Sequence, residues 1–259
     1  MKTLNIQSQG VVNIKPIVLL FFIGCVLSEP PFAQQQNTVP ALQPDEVIAF
    51  HFTDKQVNYW LSAEDYISER MKSGIDIYSD DFYRDATSQE KMWLDSIDSG
   101  DSPYNTDYRS RYWGSNWSYA SSLIAEKSDT LAYDFNLLTA WHSPTSVNGV
   151  GKKISLVFEP AGGSKINKVL FFPGNMRTTA DWQKYGRPAK VALRINGKEI
   201  AILHLKDVMA CQVFKIPTIA PYQENDEITV VFDILSSYPG SEFEETAVSE
   251  INFDGTDIL

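Results

Sequence analysis

The chain of 259 residues is poor in the residues that build metal and disulfide scaffolds: it has two cysteines, Cys25 and Cys211, and three histidines, His51, His142 and His204. Two cysteines cannot form a multi-disulfide framework, and the CxxC spacings of a structural zinc site are missing. The histidines are too dispersed to outline a metal centre. Positive charge is also scarce, with 22 Lys plus Arg against 33 Asp plus Glu and a net charge of -11. Such a chain repels phosphate backbones and anionic lipid surfaces, so nucleic acid is not the expected partner. The nucleophile, metalloprotease and phosphate-binding signatures GxSxG, HExxH, the P-loop and GxGxxG do not occur, nor does a repeat of fixed period. What the chain does have is 43% hydrophobic and 12% aromatic residues, enough for one or two ordinary cores and incompatible with disorder or a fibre.

Lys2 and Lys15 precede an apolar run from Ile17 to Leu27, followed by Pro30-Pro31-Phe32-Ala33. A basic start, a short apolar stretch and a small residue at the cut position read as a secretory signal over residues 1–33. The run of eleven residues falls short of the roughly 20 that span a bilayer, so the mature chain is expected to lack a transmembrane segment. Cleavage after Ala33 removes Lys2, Lys15 and Glu29 and takes the net charge to -12. The expected location is secreted or periplasmic. A cut at Cys25, behind Phe22-Ile23-Gly24, would instead give a lipid-anchored form. Cys211 then stands alone and reads as a small buried hydrophobe.

Residues 34–45 are rich in Gln, Pro and Asn and read as a linker. Residues 46–111 read as a separate, partly helical region. Thr53 is placed as an N-cap ahead of Val57, Trp60, Leu61 and Met71, with Gly74 as a stop, and Ser88 to Ile97 forms a second short helix. Ser79 to Asp85 reads as a turn. From Tyr112 to the C-terminus the pattern changes to short alternating runs: 154–158, 169–172, 191–195, 200–205, 212–216, 228–232 and 248–253. With no long helical pattern between them, they predict an antiparallel β-sandwich. Asn196-Gly197 predicts a tight hairpin, because both residues tolerate positive φ. An aromatic ladder of Tyr104, Tyr108, Tyr112, Trp113 and Trp117 is expected at the seam between helices and sandwich.

The segment Ala132-Tyr133-Asp134-Phe135-Asn136-Leu137-Leu138-Thr139-Ala140-Trp141 admits two readings. Its carboxylate, amide and hydroxyl can wrap a hard cation, or Asp134 and Thr139 can satisfy local backbone groups while Trp141 plugs the core. It resembles the A-x-D-G-x-x-x-T-A-W loop of discoidin-like, coagulation-factor type C domains. Asn148 to Gly151, Arg187 to Gln212 with its hairpin, and Val248 to Phe253 resemble the NADase-type glycan-binding branch of that group. The resemblance implies a galactose-binding-like jelly roll that binds a glycan or other cell-surface ligand through loops at one end and has no catalytic centre. It also implies a structural calcium held by Asp134, Asn136, Thr139 and Glu250. Phe135 stands where glycine is common and is expected to resist a left-handed turn.

The connection after Phe172 is the first expected ligand contact. Trp182 and Tyr185 offer faces for sugars to stack on and Asn175 and Arg177 offer hydrogen bonds, although the two aromatics equally suit a role in pinning the loop. His142, Asn148 and Tyr238 are further candidates. Glu242, Glu244 and Glu245 with Asp233 supply carboxylates for glycoside hydrolysis, but they read more simply as a solvated acidic loop. The expectation is a noncatalytic binder. The alternatives are an enzyme whose chemistry lies in residues 46–111, and a protein-binding adaptor.

Overall fold

The computed structural model describes residues 38–49, 53–98, 102–106, 123–124, 131–144, 148–158, 165–219 and 227–256. The signal segment, Cys25, and Tyr108 to Trp117 of the aromatic ladder lie outside the described residues.

Two sheets face each other. The first has the order β1-β8-β7-β10-β5-β3, built from Ala41–Leu42, Lys198–His204, Arg187–Ile195, Ile228–Tyr238, Lys153–Phe158 and Leu123–Ile124. The second has the order β2-β9-β6-β11-β4, built from Glu46–Ala49, Ala210–Ile219, Lys165–Pro173, Ala247–Thr256 and Trp141–His142. All pairings are antiparallel except β1 with β8. All seven strands expected from alternation are present; five run several residues beyond the apolar run, while β5 adds one residue and β8 starts two earlier and ends one earlier than expected. Asn196 and Gly197 turn β7 into β8 at φ 48° and 79°.

The core between the sheets follows the two-residue period of a strand. Val230, Phe232 and Ile234 of β10 face it together with Ile154 and Leu156 of β5 and Phe171 of β6, all essentially inaccessible to solvent. The second sheet is covered on its other side too. Leu170, Phe172, Cys211 and Val213 point away from the central core and pack with Trp60 and Leu61 of helix α1, Asp54–Lys72. This double coverage explains why Val169-Leu170-Phe171-Phe172 is apolar without alternation. Cys211 is buried, as its neighbours implied.

Helix α1 begins where Thr53 and Gln56 complete a reciprocal capping box and ends before Gly74, at φ 76°. Helix α3, Ser88–Asp98, packs on α1 around Ile67, Ile77 and Leu94. The expected turn at 79–85 is instead helix α2, Asp80–Asp85, capped by the Ser79 hydroxyl on the Phe82 N–H. Tyr104 is buried at the seam among Leu137, Leu170 and Met176. The boundaries at the N-terminal side also differ from expectation. Residues 41–42, placed in a linker, and 46–49, placed in the helical region, each add a strand to a sheet of the sandwich.

Candidate ligand-binding end and a buried acid pair

The ends of β6, β8 and β10 and the starts of β7, β9 and β11 gather at one end of the sandwich. Arg187, the first residue of β7, organises it. Its side chain is 9% exposed and forks onto Asp207, with Nε to Oδ1 at 2.8 Å and Nη2 to Oδ2 at 3.1 Å. Its Nη1 donates to the Tyr185 carbonyl at 2.9 Å, and its guanidinium lies 4.4 Å from the centre of the Trp182 ring. Trp182, in helix α4 (Thr179–Lys184), donates its Nε1 to the Pro173 carbonyl at 2.9 Å. Gly174 passes so close, at φ 90°, that a Cβ there would sit 2.6 Å from Trp182 Cδ1. One face and the polar atom of Trp182 are therefore engaged within the protein. Of the two roles open from the sequence, these are the contacts of a pin.

Tyr185 follows α4 and stacks on Phe243 at 4.6 Å and 20°, while the His142 ring meets its edge at 4.5 Å. His142 Nδ1 lies 3.6 Å from Glu245 Oε2. Burial pulls the His142 pKa down, and Glu245 only partly opposes this, so the imidazole is neutral at neutral pH. Beside this stack lies a cavity of about 470 Å³, lined by Asn148, Ser237, Ser241, Glu242, Phe243 and Glu244 together with Pro239 and Gly240. Phe243 is 41% exposed. Tyr238 ends β10 nearby but donates its hydroxyl to the Leu205 carbonyl at 3.0 Å, bracing the loop after β8.

Asn175 and Arg177 go elsewhere. Asn175 Oδ1 accepts from the Arg177 N–H at 3.2 Å in a turn, Tyr104 donates to the Arg177 carbonyl at 3.0 Å, and the Arg177 guanidinium approaches Asp65 of α1 at 3.9 Å. Arg177 thus reaches toward the helical layer, Asn175 is engaged in a local turn, and neither lines the cavity. Asp233 is likewise separate from the acidic loop: it lies 3.8 Å from Lys153 and 3.7 Å from Arg194. Phe243 is the residue that sequence reasoning missed. Its only sequence signal is an aromatic side chain set among carboxylates in a loop.

All four residues expected to hold calcium come together. Asp134 Oδ1 accepts from the Asn136 N–H at 3.1 Å, and the Thr139 hydroxyl lies 2.7 Å from Asp134 Oδ2 and 2.9 Å from the Asn136 carbonyl. Glu250, in β11 and fully buried, accepts from the Asp134 N–H at 3.3 Å. Phe135, contrary to expectation, does take the left-handed conformation, at φ 59°, and its ring packs 5.1 Å from that of Tyr133. Burial raises the pKa of Asp134, and burial followed by the Asp134 charge raises that of Glu250 well above the usual range. Among the described residues, no lysine or arginine forms an ion pair with either and no third acidic, His or Cys side chain joins them. The donors are hard oxygens of the kind calcium takes. The local deficit of positive charge is one that a cation would fill. The same contacts also satisfy the turn reading, since Asp134 caps its own loop and Trp141 is buried in the core.

This two-sheet sandwich, with its Asp-to-Trp loop under the last strand and its loop cluster at one end, is a discoidin-like, galactose-binding-like domain. The chain belongs to the family described as NAD glycohydrolase translocation F5/8 type C domain, which matches residues 107–254. A comparison with curated proteins finds no match. Among solved structures, the chain is similar to the CBM32-1, CBM32-2 and M60 catalytic domains of Clostridium perfringens ZmpB, at 14% identity and a TM-score of 0.39. That similarity covers 59% of this chain but 15% of the other. It is also similar to the CBM32 of AlyQ in complex with 4,5-unsaturated mannuronic acid, at 9% identity and a TM-score of 0.31, over 51% of this chain and 92% of that one. No helix among the described residues is long and apolar enough to cross a membrane.

Proposed function

We propose that this protein is an exported, noncatalytic binding module whose sandwich takes a surface carbohydrate in the cavity beside Phe243. The observation that carries this reading is the half-exposed Phe243 ring, backed by Tyr185 and lining a cavity of about 470 Å³ of mixed polar and apolar wall. The apolar face of a sugar stacks on such a ring, while Asn148, Ser237, Ser241 and the loop carboxylates are disposed for its hydroxyls. Export rests on the basic start and apolar run of residues 1–33. The family's description concerns NAD glycohydrolase translocation, and a module that holds a surface glycan would serve such delivery.

Calcium, as part of this proposal, is structural. Asp134 and Glu250 would supply its charged ligands and Asn136 and Thr139 neutral oxygens, fixing the loop that leads into β4. Glycan-array binding with and without chelator tests the whole reading. Binding lost in Phe243→Ala supports it, and an array without a hit overturns it. Trp182→Ala is expected to reduce binding only as far as it loosens α4, so its loss of binding should be accompanied by a lower Tm.

A further inference from the structure

The acidic loop next to β11 has three carboxylates in four positions, and the structure gives them different circumstances. Glu245 turns inward to His142 at 3.6 Å, and Glu242 has Lys184 Nζ at 4.0 Å. Glu244 is exposed and forms no ion pair among the described residues. The cavity wall therefore carries Glu242 and Glu244, and among the described residues no lysine, arginine or histidine lines it. Phe243 stands between these two carboxylates in the sequence and presents its ring to the same space. An apolar ring flanked by negative charge favours a ligand that combines a stacking face with a positive group, and it disfavours a negative one.

Resting on the carbohydrate reading above, we infer that the Phe243 cavity selects a saccharide bearing a free amine over neutral or uronic-acid sugars. The protonated amine donates to the Glu244 carboxylate, with Glu242 adding a second negative charge that Lys184 only partly offsets. The ring faces of the same sugar stack on Phe243, and its hydroxyls meet Asn148, Ser237 and Ser241. A cationic peptide would use the carboxylates without needing the flat ring or the neutral hydrogen-bonding rim, so the cavity as built fits the saccharide better.

The experiment titrates the full chain with a glucosamine tetramer, its fully N-acetylated counterpart and an oligouronate, at low and at high salt. The expected result is a preference of about threefold to fivefold for the amine form over the acetylated one at low salt, shrinking at high salt, as partly exposed charge pairs give. Binding of the oligouronate should be weakest. Glu244→Gln should bring the ratio of the two affinities close to one, and Phe243→Ala should weaken both, each variant retaining the wild-type far-ultraviolet circular dichroism and a cooperative melt. Equal affinity for the two tetramers, with Phe243→Ala still weakening both, overturns the amine inference and leaves the carbohydrate reading standing. No binding of either tetramer overturns the inference, and an empty glycan array would then remove the reading beneath it. An amine preference that survives Phe243→Ala and is equally competed by polylysine also overturns it, because that is attraction of any polycation.

Discussion

Replacing Asp207 by alanine isolates the device that shapes the ligand end. The change removes two charge-assisted hydrogen bonds to Arg187, at 2.8 and 3.1 Å, each worth about 1.5–3 kcal/mol when water is excluded. It leaves a guanidinium that is 9% exposed with its bond to the Tyr185 carbonyl and its contact with Trp182, but without a counter-charge. Breaking a fully buried pair from one side costs about 3–5 kcal/mol. The Asp207 side chain is 40% exposed, so water reaches the freed guanidinium from that side and the cost settles at about 2–3 kcal/mol. For a folded unit of this size, about 2–4 °C of Tm accompanies each kcal/mol, so the melting temperature should drop by about 5–10 °C. Calorimetry together with a urea titration measures it, with the midpoint falling and the slope unchanged. Asp207→Asn keeps one acceptor and should recover about half of the loss. A drop below about 0.5 kcal/mol in Asp207→Ala would refute the argument and reduce the pair to an ordinary surface contact.

Gly174→Ala adds a Cβ 2.6 Å from Trp182 Cδ1 at a φ of 90°; it should cost about 2 kcal/mol or more, read as a lower urea midpoint. The Asp134–Glu250 pair sets a pH dependence. Carboxyls with pKa values raised in the folded state bind more protons there than when unfolded, so in chelated protein the pair's contribution to stability should be full below the ordinary carboxylate values of 3.8 and 4.5 and be lost as pH rises through the raised values. Saturating calcium should abolish that loss, and identical melting curves from about pH 4 to 8 with and without calcium would remove both the charge argument and the metal. Thr53→Ala breaks the capping box and should cost about 1 kcal/mol, seen as faster amide exchange in the first turn of α1 with little change in the sandwich.

The parts of the fold that could be read from the residues are those whose pattern has a single physical cause. Val230, Phe232 and Ile234 alternate because one face of β10 is buried, and Asn196-Gly197 turns because both residues accept positive φ. Where one residue type serves two purposes, the reading failed. Ser79, Asp80 and Asp81 resemble a turn, yet a serine N-cap followed by carboxylates in the first turn is also how a short helix starts. β1 has two residues and β2 four, too few for an alternation to be visible. Phe135 shows the limit of arguing from steric cost alone, because its packing on Tyr133 accompanies a backbone angle that a bulky residue otherwise avoids. At the ligand end, Tyr185 and His142 do meet beside the cavity, while Trp182, Tyr238, Asn175 and Arg177 spend their polar groups inside the protein or toward the helices. Nothing in a linear sequence distinguishes an aromatic ring that is covered from one that is left open. Phe243 became visible only once β10 and β11 had brought its loop over Tyr185.

The segment from Ala41 to Ala49 lays one strand along β8 and the next along β9. Without it, both sheets would end on the same side in strands whose N–H and C=O groups are bare, the arrangement by which chains add to one another edge to edge. The family match begins at residue 107, so the stretch that shields those two edges is contributed by residues ahead of the recognisable domain. A fragment cut at that boundary would keep the ligand loops but is expected to assemble into larger species through β8 and β9. The few residues that read as the end of a connector and the start of a helical region would act as a guard against self-association.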